Sequence, residues 1–196
     1  MSENIPKASS SIFIYSREYI IENYGKETWQ KISDGLTKDE SKFANSEYKF
    51  NEWYPAYLLN RVLNILDDLR SAEDKDSIIP IVKYITQKDL KPVFNMFINL
   101  KDPVFVLQNV PSIWNRYFNT GKIGIEISDA ENRHFRFSLT EGADEDIYSG
   151  EAICRHGTVT WIKTALEISG AENIDIQHTK CRYHGDDVCI NDVKWG

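Results

Sequence analysis

Histidine and cysteine are scarce in this 196-residue chain, and both crowd toward its end. There are three cysteines and four histidines, and no histidine precedes His134. A small, odd cysteine count speaks against the disulfide framework of a secreted protein and for a reducing, cytoplasmic setting. No apolar run approaches the ~20 residues that a membrane-spanning helix needs. The opening MSENIPKASSSIFIYS lacks the long apolar core and cleavage site of a signal peptide. Basic residues are outnumbered, 23 against 30 acidic, for a net charge of −7. Such a balance argues against a nucleic-acid backbone as the main partner, because phosphate binding needs a basic face. Also missing are a glycine-rich phosphate loop and a Gly-x-Ser-x-Gly nucleophile elbow, and the glycines of GKIGIEIS have the wrong spacing for a dinucleotide fingerprint. These absences point away from an enzyme.

What the chain has in quantity is aromatic side chains: ten Tyr, nine Phe and five Trp. They suit a packed core and allow an apolar cavity. The length suits a single domain over residues 1–196, with residues 1–50 as an N-terminal extension. Residues 11–15 (SIFIY) read as a short strand or the start of a helix, and 16–50 as helical. The clearest helix spans Trp53 to Arg70, where Leu59, Val62, Leu63, Leu66 and Leu69 share a face and Pro55 falls in the first turn. Helices follow at Ser77–Ile85 and from Asp89 to Leu100. Asp102-Pro103 reads as N-cap and first position of another helix, kinked at Pro111 and ended at Gly121.

At Gly121 the apolar period changes from 3.6 to 2. KIGIEIS and RHFRFSLTEG alternate around DAEN as an antiparallel hairpin. Residues 150–169 return to helix, with Gly170 as the stop signal. ENIDIQHTKC and DVCINDVKW form a second hairpin. The expected fold is therefore α+β, with N-terminal helices packed on an antiparallel sheet and a strand-strand-helix-strand-strand C-terminal half.

The last hairpin holds the densest chemistry. His178 and Cys181 are separated by two residues, and Cys181 and Cys189 flank a Gly185-Asp186-Asp187 turn that would bring them face to face. Cys154 starts the helix that must pack on this sheet. Three thiolates and one imidazole complete a tetrahedral zinc site. His178, His156 and His184 compete for the imidazole position, and buried cysteines also serve as small core hydrophobes.

The pattern Cys181-x-x-x-Gly185-Asp186-x-x-Cys189, after IDIQHTKC and a helix ending at Gly170, resembles the vinyl-4-reductase domain. That domain occurs in bacteriochlorophyll 4-vinyl reductase-type proteins and in the sensory domains of phenol-responsive bacterial activators. ALEISGAENIDI and GDDVCINDVKW also resemble a family of roughly 200-residue proteins numerous in myxobacteria. The resemblance is concentrated in residues 120–196. These families are related in fold to heme-nitric-oxide-binding domains and to small Golgi-trafficking subunits.

The resemblance implies a structural zinc held by Cys154, Cys181, Cys189 and, where the sensors have an acidic ligand, His178. It implies a small apolar or aromatic ligand, with His134 and Trp114 in the place of the His and Trp that grip a phenol hydroxyl. Phe105, Phe135 and Tyr148 would complete the pocket wall. A non-enzymatic sensor acting as a homodimer follows. The alternatives are a scaffold like the trafficking subunits or an accessory protein of tetrapyrrole reduction. Heme is set aside in this reading, because the heme-nitric-oxide-binding domains use a mid-chain proximal histidine and a Tyr-x-Ser-x-Arg triad, and the sequence has neither.

Overall fold

A computed structural model describes residues 5–70, 77–94, 102–140 and 153–196, and of residues 91–94 and 153–155 the backbone alone. The chain is α+β, as its patterning implies. It enters through β1 (Lys7–Ser9), antiparallel to β2 (Trp53–Pro55), with Ala8 opposite Tyr54. Three helices lie between these strands: α1 (Ser10–Tyr24), α2 (Lys26–Gly35) and α3 (Lys38–Ala44). Thr37 and Glu40 close a reciprocal capping box at the start of α3.

The helix expected from Trp53 starts three residues later, as α4 (Ala56–Arg70). The Ala56 amide donates to Pro6 O at 2.9 Å, so the preceding residues are held in the small sheet. Pro55 has no N–H to lose and suits an edge strand. Likewise SIFIY lies inside α1, where Ile12, Phe13, Ser16 and Ile20 are buried. Leu59, Val62, Leu63 and Leu66 of α4 are buried as their spacing implies, but Leu69 stands exposed at the helix end.

Helix α5 (Ile78–Phe94) packs on α1. The next expected helix is two: α6 (Pro103–Gln108), capped by Asp102 Oδ1 accepting from the Phe105 amide at 3.1 Å, and α7 (Val110–Tyr117). The break at Asn109 has a physical cause in Pro111, whose ring clashes with the carbonyl four residues earlier. Phe118 is already extended, with φ −133°, and bridges to Ala8, so the helix ends before Gly121.

The C-terminal sheet has the order β3-β4-β6-β5, all antiparallel: β3 (Ile123–Asp129), β4 (His134–Leu139), β5 (Asp175–Lys180) and β6 (Cys189–Lys194). Between its hairpins, a π-helical turn (Ile153–Thr158) runs into α8 (Val159–Ile168). Gly170, at φ 89°, ends α8: its amide donates to Glu167 O, and the Ala171 amide to Leu166 O. That pair of bonds is a Schellman motif, and its left-handed residue favours glycine.

Phe135 and Phe137 point inward from β4 and are fully buried, each contributing roughly 1.5–3 kcal/mol by burial. The same core takes in Ile12, Phe13, Ile20, Trp29 and Ile32. The described part of residues 1–50 is thus built into the core that also holds Val193. Tyr48 lies in an aromatic cluster with Phe13, Phe43 and Tyr54, and burial pushes its phenol up to about 12. Among the described residues, no helix is long and apolar enough to cross a membrane.

Candidate functional site

Pairing between β5 and β6 places His178 opposite Asn191, two residues from Cys189 on the same face. A register shift between His178 and Lys180 then lets the chain turn inward at Cys181. A 3-10 turn, Arg182–His184, ends at Gly185 with φ 96°. The turn is locked by the Cys181 amide donating to Asp186 Oδ2 at 2.8 Å and the His184 amide to Cys181 O at 2.9 Å. The Arg182 amide donates to Cys189 Sγ at 3.4 Å. The ligand atoms of His178, Cys181 and Cys189 all lie within 4.8 Å of one another, and both cysteines are buried. Asn191 Oδ1, buried on the same face, has no hydrogen-bond partner.

Of the competing histidines, His184 is exposed in the turn and His156 is half-buried in the π-helical turn; neither joins this group. The Cys154 side chain lies outside the described residues, as does Tyr148.

A second locus lies among the helices. Side chains of α1, α4, α5, α7 and α8 line a cavity of about 90 Å³. Its wall is almost wholly apolar, with Leu63, Ile81, Ile85, Trp114 and Ile162 among its members. Trp114 is held in place by its indole N–H, which donates to Thr120 O at 2.9 Å. One polar atom on this wall stands out. Ser16 is 2% exposed, lines the cavity, and its Oγ has no hydrogen-bond partner. An unsatisfied buried hydroxyl costs about 1–3 kcal/mol.

Behind Ile113 and Tyr117, which line both spaces, opens a polar cleft of about 600 Å³. Asp89 lines it. Burial pushes its carboxyl upward, while hydrogen bonds from Ser11 Oγ, at 3.1 Å, and from the Tyr117 phenol pull it back. Tyr117 in turn accepts from Trp161 Nε1 at 3.4 Å, and burial drives its phenol well above the usual value.

The remaining residues expected at a pocket stand elsewhere. Phe135 stacks with Phe137 and tilts against Trp195 in the sheet core. His134 faces the other side of the sheet, its Nε2 3.0 Å from Asp192 Oδ1, which also accepts from Arg136 Nε at 2.9 Å. Phe105 is half-buried on α6 and lines neither space. Ser16 escaped the sequence reading, although Ile12, Ser16 and Ile20 recur every four residues. A lone serine on a buried helical stripe is the signal that could have found it.

No protein-family model and no curated protein matches the chain. Solved structures do match in fold. An H-NOX protein from S. oneidensis in the Fe(II)NO ligation state gives a TM-score of 0.71 at 12% identity, covering 96% of this chain and 99% of that one. Fe(II) unliganded H-NOX from K. algicida gives 0.65 at 14%, covering 96% of each. H-NOX from Shewanella woodyi in the Fe(II)CO state gives 0.64 at 12%, covering 95% and 94%. At such identities the likeness is one of fold.

These neighbours overturn the expectation that heme is excluded. They are H-NOX proteins in iron ligation states, and a further neighbour probes heme distortion in the H-NOX family, at TM-score 0.58 and 9% identity. A shortage of early histidines therefore does not decide the matter for this fold. Among the residues lining the described cavity there is no histidine, and the Tyr117 phenol oxygen is already engaged by Asp89 and Trp161, so this wall offers iron no free ligand. At about 90 Å³ the cavity is smaller than a porphyrin, so these walls fit heme only in a wider arrangement than the one described.

Proposed function

We propose that the chain is a non-enzymatic, ligand-binding sensor domain. The observation that carries this reading is the apolar cavity with a single unpartnered hydroxyl, Ser16 Oγ, on its wall. Such a site takes a small, mainly apolar molecule with one atom able to hydrogen-bond, because that atom relieves the orphaned hydroxyl. The H-NOX fold of its neighbours supports the same class of role. The vinyl-4-reductase-like pattern, a homodimeric signalling form and a cytoplasmic setting belong to this proposal.

The hairpin cluster belongs to it as well. His178, Cys181 and Cys189 are the donor types of a structural zinc site, with Cys154 as the fourth ligand. Four protein ligands leave no open position, so the ion would tie the π-helical turn before α8 to the final hairpin and do no chemistry.

The test is thermal unfolding with matched pairs of small ligands, a phenol or alcohol against its methyl analogue. The hydroxyl-bearing member is expected to raise Tm more, and Ser16→Ala to erase the difference. Equal shifts for both members in the wild-type chain would sink the reading. Titration with hemin is run in parallel. A saturable one-to-one Soret band would make heme the occupant of the widened cavity and displace the small-molecule reading.

A further inference from the structure

We propose that the polar cleft beside α1, α5 and α7 binds a small organic ammonium ion, with Asp89 as its counter-ion and Trp53 against its apolar part. This cleft is a separate space from the apolar cavity and was assigned no ligand above. Its volume, about 600 Å³, falls within the range of small-molecule sites, roughly 300–1,000 Å³.

Three features select a cation. First, the Asp89 carboxylate is half-buried and accepts two hydrogen bonds from neutral hydroxyls, but no cationic side chain among the described residues pairs with it. A buried carboxylate is stabilised by an opposite charge, and here that charge is left for a ligand to bring. Second, Ser10 is 1% exposed, lines the same cleft, and its Oγ has no hydrogen-bond partner. It can accept an ammonium N–H that the carboxylate does not take. Third, Phe50 and Trp53 line the cleft while 63% and 40% exposed. They are two of the four large hydrophobic side chains exposed on the described surface, so the apolar exposure gathers at this cleft. An aromatic face beside a cation is attractive, and Trp is the strongest such partner.

The other charged groups on the cleft do not reverse the selection. Glu52 is acidic and already engaged by the Tyr54 hydroxyl and by Lys49. Arg116 is exposed on α7 and lines the same cleft, a partner for any anionic end of the ligand. A bare metal ion is a poorer match, since one carboxylate among aromatic rings and hydroxyls falls short of the oxygen cage that a hard cation takes.

The test is calorimetric titration of the whole chain with phenethylammonium chloride, beside the neutral 2-phenylethanol. Saturable one-to-one binding is expected for the ammonium, tighter than for the alcohol by about tenfold or more, the scale of a desolvated charge pair. Asp89→Asn is expected to remove that preference. Trp53→Ala, at an exposed position that spares the fold, is expected to weaken binding about two- to fivefold. Ser16→Ala, in the other cavity, is expected to leave it unchanged. Equal affinity for the alcohol, undiminished binding to Asp89→Asn, or no saturation by millimolar ammonium overturns the proposal. Should Asp89→Asn fail to fold, an unchanged affinity in Trp53→Ala overturns it instead.

Discussion

In the C-terminal hairpin three donor atoms, from His178, Cys181 and Cys189, lie within 4.8 Å of one another. In the helical half one unpartnered hydroxyl, Ser16 Oγ, stands on an almost wholly apolar cavity wall. The hairpin gathers its polar atoms by sequence proximity: twelve positions, a register shift and one left-handed glycine bring them together. The cavity gathers its walls from five helices, with Ser16 and Trp161 far apart in the chain. A locally built site needs few parts to agree in order to form. A site built across helices responds to how those helices pack, which is what a ligand-responsive element requires.

The comparison breaks most sharply at Cys189→Ser. On the proposed zinc staple, loss of this thiolate is expected to abolish metal binding and cost several kcal/mol, read by elemental analysis and urea unfolding. If the variant stays as stable as the parent and binds no less metal, the hairpin is ordinary core.

Ser16→Leu acts on the other half. It fills the cavity and removes the orphaned hydroxyl, so the ligand-free chain is expected to gain about 1–3 kcal/mol while small-ligand binding disappears. Stabilisation with loss of response would mark the helical half as the sensing one. A loss of stability would show that Ser16 is already satisfied in solution.

Gly170→Ala forces a side chain into the left-handed Schellman position and is expected to cost about 1 kcal/mol, with both halves keeping their ligands. Its role is to calibrate a purely structural change in thermal unfolding.

The smallest effect is expected at Asp192. Burial pushes its carboxyl up, but hydrogen bonds and charge from Arg136 and His134 hold it below the ordinary value. A depressed folded-state pKa gives stability that is full above the unfolded value, about 3.9, and lost as pH falls through the folded one. Arg136→Gln should therefore lower stability slightly at neutral pH, with the difference from the parent shrinking as pH falls through the Asp192 titration, read by urea unfolding at a series of pH values.

Legibility in the sequence followed the range of the interactions. The Asp102-Pro103 cap, the alternating strands around DAEN and the Gly170 stop are local signals, and each stands where its residues imply. The His178, Cys181 and Cys189 grouping was equally local. Strands β1 and β2 escaped notice because three residues are too few to show a period, and their pairing joins positions nearly fifty residues apart. The helix expected from Trp53 yielded its first turn to that pairing. The polar cleft was invisible for the same reason: Ser10, Trp53 and Asp89 come from three separate segments. The lack of early histidines is no sufficient test for heme, since the fold recurs across sequences that share as little as 9% of their residues with this one.

Tyr117 lines both the apolar cavity and the polar cleft, anchored by Asp89 on one side and Trp161 on the other. It is a party wall. Space that its ring yields to one room is taken from the other, so two occupants would compete or cooperate without touching. Whatever factor the first imposes on the affinity of the second, the second returns to the first, because a thermodynamic cycle closes in either direction.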